Sequence, residues 1–162
     1  MTGTAFQDRY PEEFSHCFGC GRSNPSGHKL KSHWDGDATV ARFRPHAHHT
    51  GGVPGNVYGG LIASLMDCHG TASAAAAAAR AEGDPGQDNP LRRYVTASLT
   101  VNYRRPTPMG LDLEVRAAGF RIDGRKVTMD LTLSANGEIC ADGTMLAVRL
   151  RDDPPDPSQD QD

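Results

Sequence analysis

The pattern of hydrophobic and polar residues predicts a β-hairpin near the start of the chain. Two apolar-containing stretches, residues 28–34 and 38–44, flank an Asp-Gly turn at positions 35–37. Asp-Gly between such stretches is a strong hairpin signal. We therefore predict paired strands here, with Val40 and Phe43 facing inward.

A second pattern, in residues 56–80, predicts a long helix. From Leu61 onward this stretch has no proline and consists mostly of good helix formers, so the helix is expected to begin near Gly59 or Gly60. Apolar or small side chains occupy every face, which is typical of a helix buried on most sides. Asp67 is its one acid, and a buried carboxylate must be paired, hydrated or functional.

The third pattern is an alternation of apolar and polar residues through residues 94–150, which is typical of half-buried strands. Turn signals at positions 123–124 and 136–137 divide it into about four strands. Thr96 and Asn102 fall on the polar face of the first of these strands. The predicted inward-facing residues are Val95, Ala97, Leu99, Val101, Tyr103, Leu111, Leu113, Val115, Ala117, Val127, Met129, Leu131 and Leu133.

This order of elements, two strands, one long helix and a meander, indicates an α+β domain with an antiparallel sheet. Because the helix is the one element able to cover the apolar face, we predict a hotdog fold, a curved antiparallel sheet wrapped around one long central helix. We assign residues 16–151 to this domain. Residues 1–15 are expected to form a loose arm or a short helix, and residues 152–162 an acidic, proline-rich, disordered tail.

Composition narrows the function classes. A chain of 162 residues suits one domain, and a net charge of −3 gives no electrostatic reason to expect nucleic acid or an anionic membrane as partner. No stretch approaches the roughly 20 apolar residues of a membrane span. The first residues lack the basic and apolar regions of a signal peptide, so a cytoplasmic location is expected.

Cys17 and Cys20 form a CxxC motif with His16 and His28 nearby, and zinc is one interpretation. A zinc site normally needs two more well-placed ligands, and the sequence has no second CxxC and no HxxxH. We therefore favour a glycine- and proline-rich loop with partly buried thiols. Three further histidines at positions 46, 48 and 49 have no acid or cysteine spaced beside them, and we favour a solvated loop there. No metal and no cofactor is predicted.

Several segments carry a family resemblance. YGGLIASLMD at positions 58–67 resembles the HGG-x6-D motif of hotdog-fold acyl-CoA thioesterases, in the phenylacetate-degradation-type group and its thioesterase-superfamily-member relatives. CFGCGRSNPSG, TASLTVNYRRPTPMG and GRK resemble other segments of that group, in the same order. The resemblance covers residues 16–150. It implies hydrolysis of an acyl-CoA, with active sites at the interface of a homodimer or of a dimer of dimers. An open edge of a sheet is usually paired or covered, which independently favours a second copy of the chain as partner.

The resemblance also implies catalytic roles. Gly59, with Gly60, would hold the thioester oxygen at the helix N-terminus, where unpaired N–H groups and a partial positive charge lie. Asp67 aligns with the catalytic acid, as a general base acting on water or as a nucleophile, and we favour the general base. Thr96 matches a Ser/Thr of the opposite protomer that positions the water. A partly buried aspartate bonded to a neighbouring chain is the structural alternative for Asp67.

The same resemblance implies a binding set for coenzyme A, made of Asn102, Arg104, Arg105, Arg125 and Lys126. Arginine suits phosphate because its planar fork offers two donors. Solvated strand ends are the alternative for these charges.

One departure from the family lies at the helix start, where Tyr58 replaces the usual histidine. A tyrosine hydroxyl donates a hydrogen bond but does not titrate near neutral pH. Asn56 could supply a polar group instead. The departure leaves the activity and the acyl group open.

Three alternative functions follow from this departure and from the family. The chain could be a non-catalytic acyl-CoA-binding domain, or it could act on acyl-carrier-protein thioesters. Dehydration of an acyl thioester would need an Asp/His dyad, and His69, two residues from Asp67, is expected to point elsewhere.

Overall fold

The computed structural model describes residues 3–84 and 89–151, which form one long helix and one six-stranded sheet. The tail prediction therefore lies outside the described residues. Three 3-10 helices cover Phe6–Arg9, Glu12–Phe14 and Ala47–His49. The helix is α1 (Gly59–Ala81), and the strands are β1 (Ser32–Asp35), β2 (Ala38–Phe43), β3 (Tyr94–Tyr103), β4 (Leu113–Asp123), β5 (Lys126–Ala135) and β6 (Glu138–Arg149).

The sheet confirms the predicted α+β hotdog architecture. Its strand order is β1-β2-β4-β5-β6-β3, and every neighbouring pair is antiparallel. The turns lie at the predicted Gly-containing positions; Asn136 and Gly137 both have positive φ, as a two-residue type I′ hairpin requires. The edges of the sheet are β1 and β3, and α1 packs against all six strands.

The helix is buried on most sides, as its sequence predicts. Its buried residues run from Leu61 to Ala78 with few gaps, and small side chains let the sheet approach closely. At Gly70, an added Cβ would lie 2.5 Å from the Met145 sulfur. Among the described residues, no helix combines the length and hydropathy that crossing a membrane requires.

The first hairpin is paired as predicted but shorter. Lys29 has a φ of 58°, a left-handed conformation that interrupts extended backbone, and β1 starts only at Ser32. Of the two residues predicted to face inward, Phe43 belongs to the main core cluster. Val40 is buried but lies outside that cluster, and its neighbour Ala41 belongs to the cluster in its place.

Strand β3 departs most from simple alternation. A β-bulge between Thr96 and Ser98 leaves Ala97 without a register partner on β6. The extra residue reverses the facing of the residues before it. Thr96 consequently lies on the helix side, opposite the buried Ala147, and the predictions that Val95 and Ala97 face inward are wrong, since both are exposed.

The rest of the meander follows the prediction more closely. The inward residues of β4 and β5, including Val115 and Leu131, are almost fully buried. Leu111 and Tyr103 are exceptions, with exposed fractions of 37% and 54%. Leu111 is exposed because it precedes the start of β4 at Leu113.

Residues 3–15 pack onto the domain. Phe6 and Tyr10 are 3% exposed and belong to the core cluster, so the short-helix alternative describes this segment better than a loose arm. The domain boundary itself stays a prediction.

A buried polar network joins α1 to the first hairpin. His69 is fully buried; its Nδ1 lies 2.9 Å from the Ser32 hydroxyl and its Nε2 3.1 Å from the Thr39 hydroxyl. Ser73 and Gln7 extend the network. His69 therefore points into the core, as its spacing from Asp67 predicts.

Candidate functional site

The start of α1 carries two backbone N–H groups that have no acceptor among the described residues. The N–H groups of Leu61 and Ile62 donate to the Tyr58 carbonyl at 3.1 and 3.4 Å, while those of Gly59 and Gly60 have no acceptor among the described residues. The Tyr103 hydroxyl donates to the Gly59 carbonyl at 2.8 Å, which ties the end of β3 to the helix start. Free N–H groups at a helix N-terminus suit a developing oxyanion.

The side chain of Tyr58 lies over the first turn of the helix. An added Cβ on Gly60 would fall 2.2 Å from the tyrosine ring, so only glycine leaves room for this packing. Tyr58 is 58% exposed and borders a cavity of about 510 Å³ together with Phe18, His28 and Leu61. A large aromatic residue thus occupies the place where the family has histidine.

The predicted histidine loop forms another wall of this cavity. His46, His48 and His49 pack against one another, with the rings of His48 and His49 4.2 Å apart. Partial burial, reinforced by neighbouring histidines, lowers the pKa of His28 and of His49. These rings are therefore biased towards the neutral form.

A second cavity, of about 350 Å³, also borders the helix start. Asn56, Gly59, Tyr103, Arg104 and Arg105 line it. The structure therefore brings Asn56 and two of the predicted coenzyme A residues to the same cavity as Gly59.

Asp67 lies further along α1 and is partly exposed. Thr96 Oγ1 donates a hydrogen bond to Asp67 Oδ1 within the same chain. The family resemblance implied a threonine of the opposite protomer, whereas the bulge in β3 brings this chain's own threonine to the carboxylate. Neither cavity described above is lined by Asp67, so the carboxylate lies on a more open surface beside β3.

Two of the predicted coenzyme A residues are already paired with a carboxylate that sequence reasoning missed. Arg104 binds Asp142 through both Nε (2.6 Å) and Nη2 (3.0 Å), and Asn102 donates to the same carboxylate at 3.0 Å. These donors lower the pKa of Asp142. Arg105 forms an exposed pair with Glu138. The alternation places Asn102 and Asp142 on one face, but no sequence signal pairs β3 with β6.

Arg125 and Lys126 lie at the opposite end of the sheet. Arg125 donates to the Arg149 carbonyl at 2.9 Å, and Lys126 is paired with Val148, whereas the Arg104 N–H bonds the Cys140 carbonyl. Eight positions along β6 correspond to roughly 27 Å. One chain therefore does not gather all five predicted residues into one site.

Comparison with known proteins agrees with this architecture. The family model described as the thioesterase superfamily matches residues 54–140. The acyl-coenzyme A thioesterase THEM4 of Rattus norvegicus is 29% identical over 109 residues, which are 66% of this chain and 41% of that protein. This chain spans about two fifths of the length of the curated relatives it matches.

Solved structures extend the likeness to the whole fold. A thioesterase superfamily protein from Shewanella loihica is 43% identical, with a TM-score of 0.65 over 86% of this chain and 97% of that one. A protein from Streptococcus mutans, solved with acetyl CoA, has a TM-score of 0.57 at 16% identity and covers 75% of this chain and 88% of its own. The chain belongs to the thioesterase superfamily.

Proposed function

We propose that this protein is an acyl-CoA thioesterase that hydrolyses an acyl-CoA to the free acid and coenzyme A. The observation that carries the proposal is the Asp67–Thr96 hydrogen bond on the helix whose first turn holds two free N–H donors. Membership of the thioesterase superfamily supports thioester hydrolysis in general. The name of the rat relative and the acetyl CoA bound to the Streptococcus mutans protein support coenzyme A as the carrier.

The backbone N–H of Gly59, with that of Gly60, polarises the thioester carbonyl. Charge builds on this oxygen as the carbonyl carbon becomes tetrahedral, and fixed donors stabilise it without reorganisation. Removing one such donor costs about 100- to 1,000-fold in rate. The Tyr58 hydroxyl, above the same turn, is the side-chain donor that we assign to this oxygen in place of histidine.

Asp67 acts as general base on a water molecule. Eight positions separate it from Gly59, which is roughly 12 Å along the helix axis. A carbonyl held by the Gly59 N–H and one water together fill most of this separation, while direct attack would need the carboxylate about 3 Å from the carbonyl carbon. The spacing within one chain therefore favours the general base over an anhydride-forming nucleophile.

Thr96 orients the Asp67 carboxylate. Its hydroxyl donates to Oδ1, which leaves Oδ2 as the base for water. A hydrogen bond to a charged group contributes about 1.5–3 kcal/mol, enough to fix the rotamer of an otherwise half-exposed side chain.

A second copy of the chain completes the site. The β3 edge is ten residues long and pairs on one side with β6, so its other side is free to pair with the same strand of a second copy. In an antiparallel β3–β3 pair, the Arg104–Arg105 end of one copy lies beside the Thr96 end of the other copy. Within each copy, Arg125 and Lys126 lie at the same end of the sheet as Thr96. We propose a homodimer in which both groups bind the phosphates of one coenzyme A.

The experiment is an assay of thiol release from a panel of acyl-CoAs of differing size, with the same acyl groups on an acyl-carrier protein. We expect hydrolysis of at least one acyl-CoA and little release from the carrier protein. Faster thiol release from the acyl-carrier protein than from the acyl-CoAs would show that the carrier protein, and not coenzyme A, carries the substrate. Binding of several acyl-CoAs, measured calorimetrically, without any release would make the chain a non-catalytic binding domain and reject the proposal.

A further inference from the structure

We propose that the thiols of Cys17, Cys20 and Cys68 form a binding site for one thiophilic metal ion of the zinc type. The three Sγ atoms lie within 4.8 Å of one another. Two thiols come from the CxxC loop and the third from α1, 51 positions after Cys17. The CxxC motif has no further ligand close to it in the sequence. The fold supplies Cys68 as a third ligand, which sequence spacing cannot predict because it lies 51 positions after Cys17.

The distances suit a tetrahedral thiolate site. Cys17 Sγ and Cys68 Sγ are 3.7 Å apart. A zinc–sulfur bond of about 2.3 Å in tetrahedral geometry places neighbouring sulfurs about 3.8 Å apart. A disulfide between any two of these cysteines would need a sulfur–sulfur distance near 2 Å and would leave the third thiol without a partner.

The loop backbone is shaped to bring the thiols together. An added Cβ on Gly19 would lie 2.2 Å from Cys68 Sγ, so a side chain at this position would displace the helix cysteine. The Gly21 N–H closes the turn on the Cys17 carbonyl at 2.8 Å, and the Leu30 N–H bonds the Gly19 carbonyl at 3.1 Å. These backbone bonds fix the shape of the CxxC turn before any ion binds.

A metal ion binds the thiolate forms of these cysteines, so its binding releases the thiol protons. Hydrogen bonds within the cluster lower the pKa of Cys17 and raise those of Cys20 and Cys68, so one thiol of the three is favoured as thiolate before an ion binds. Arg93 places its positive charge near Cys20, and its Nη1 is buried with no hydrogen-bond partner among the described residues. Three thiolates and a divalent ion carry a net charge of −1, which Arg93 balances.

The fourth position of the tetrahedron belongs to a solvent molecule, because the described residues add no histidine or carboxylate to the three thiols. Soft thiolate ligands select zinc and copper(I) over magnesium or calcium. Phe18 lies within the CxxC motif and His28 follows it, and both border the larger cavity, so the ion would fix one wall of that cavity.

The test is titration of the reduced full-length protein with Co²⁺, followed by displacement with Zn²⁺. We expect one equivalent of cobalt, a thiolate-to-cobalt charge-transfer band with tetrahedral d–d bands, and loss of both on adding zinc. Cys17→Ser and Cys68→Ser should lose the charge-transfer band. Cys140→Ser is the matched control, because Cys140 is also buried and free but lies outside the cluster, and it should bind cobalt as the wild type does.

Several results would overturn the proposal. One is a reduced wild type that binds no cobalt or zinc, and this result does not depend on how the variants fold. Unchanged cobalt spectra in folded Cys68→Ser, with folding checked by circular dichroism, would be another. A third would be a native protein that shows two fewer titratable thiols without reductant than with it and contains no metal by mass spectrometry. That result would assign the cluster to a disulfide.

Discussion

At the scale of the residue, the contact between Thr96 and Asp67 follows from the way β3 accommodates Ala97, which has no partner on β6 and so leaves Thr96 on the helix side. Alternation alone puts Thr96 on the polar face, because a bulge leaves no signature in the order of apolar and polar residues. The shared helix of Asp67, Gly59 and Gly60 could be predicted from sequence, because one stretch without proline carries all three. Asp142 and Cys68 could not, since their partners are distant in the chain.

The first prediction concerns the Thr96 hydroxyl. Thr96→Val keeps the shape of the side chain and removes the donor, so we expect kcat to fall about 10- to 100-fold, the equivalent of one hydrogen bond to a charged group. Thr96→Ser should retain most activity. Thr100→Val, on the other face of the same strand, is the control, and an equal loss in that variant would show that valine acts through the strand and not through Asp67.

The second prediction concerns His69. Burial lowers its pKa from 6.5 to about 3, so the folded protein holds it neutral where the unfolded chain is protonated. The unfolded state then binds more protons, and stability falls as the pH drops below 6.5, by up to about 1.4 kcal/mol per pH unit for this group. Urea unfolding at pH 7, 6 and 5 should show a smaller pH slope in His69→Gln than in the wild type.

His16→Gln provides the comparison, because His16 lies on the surface. The pH slope of His69→Gln should be smaller than that of His16→Gln. A slope in His69→Gln as steep as in the wild type would assign the pH dependence to other groups.

At the scale of the element, the bulge in β3 and the first turn of α1 set the site. The strands and the helix could be predicted because each buries a regular pattern, whereas their irregular positions could not. Lys29 shortens β1 and Ala97 reverses part of β3, and each does so through backbone conformation that tertiary contacts stabilise.

The third prediction removes the bulge. Deleting Ala97 would restore regular pairing with β6 and would keep Thr96 on the helix side, because Thr96 and Ser98 already pair with the consecutive residues Ala147 and Leu146. We expect this variant to keep most of the wild-type kcat, unlike Thr96→Val, with α1 and the sheet retained by circular dichroism. A folded deletion variant whose kcat falls as far as that of Thr96→Val would contradict the facing given to Thr96.

At the scale of the whole molecule, the structure places Thr96 and Asp67 of one chain in contact, while the family resemblance implied two chains. Co-expressed Asp67→Asn and Thr96→Val chains distinguish these arrangements. If the pair acts within one chain, every site in the mixed dimer lacks one member and activity stays low. Recovery of activity well above either variant alone would show that the threonine acts across the interface.

The most direct measurement of the central claim is the rate of thiol release by Asp67→Asn from the best acyl-CoA. Asparagine keeps the size and the contact with Thr96 but cannot accept a proton from water. We expect kcat to fall about 100- to 10,000-fold, the range of general base catalysis, with KM changed little. Asp130→Asn, an exposed carboxylate on β5, should match the wild type. Wild-type kcat in folded Asp67→Asn would contradict the account.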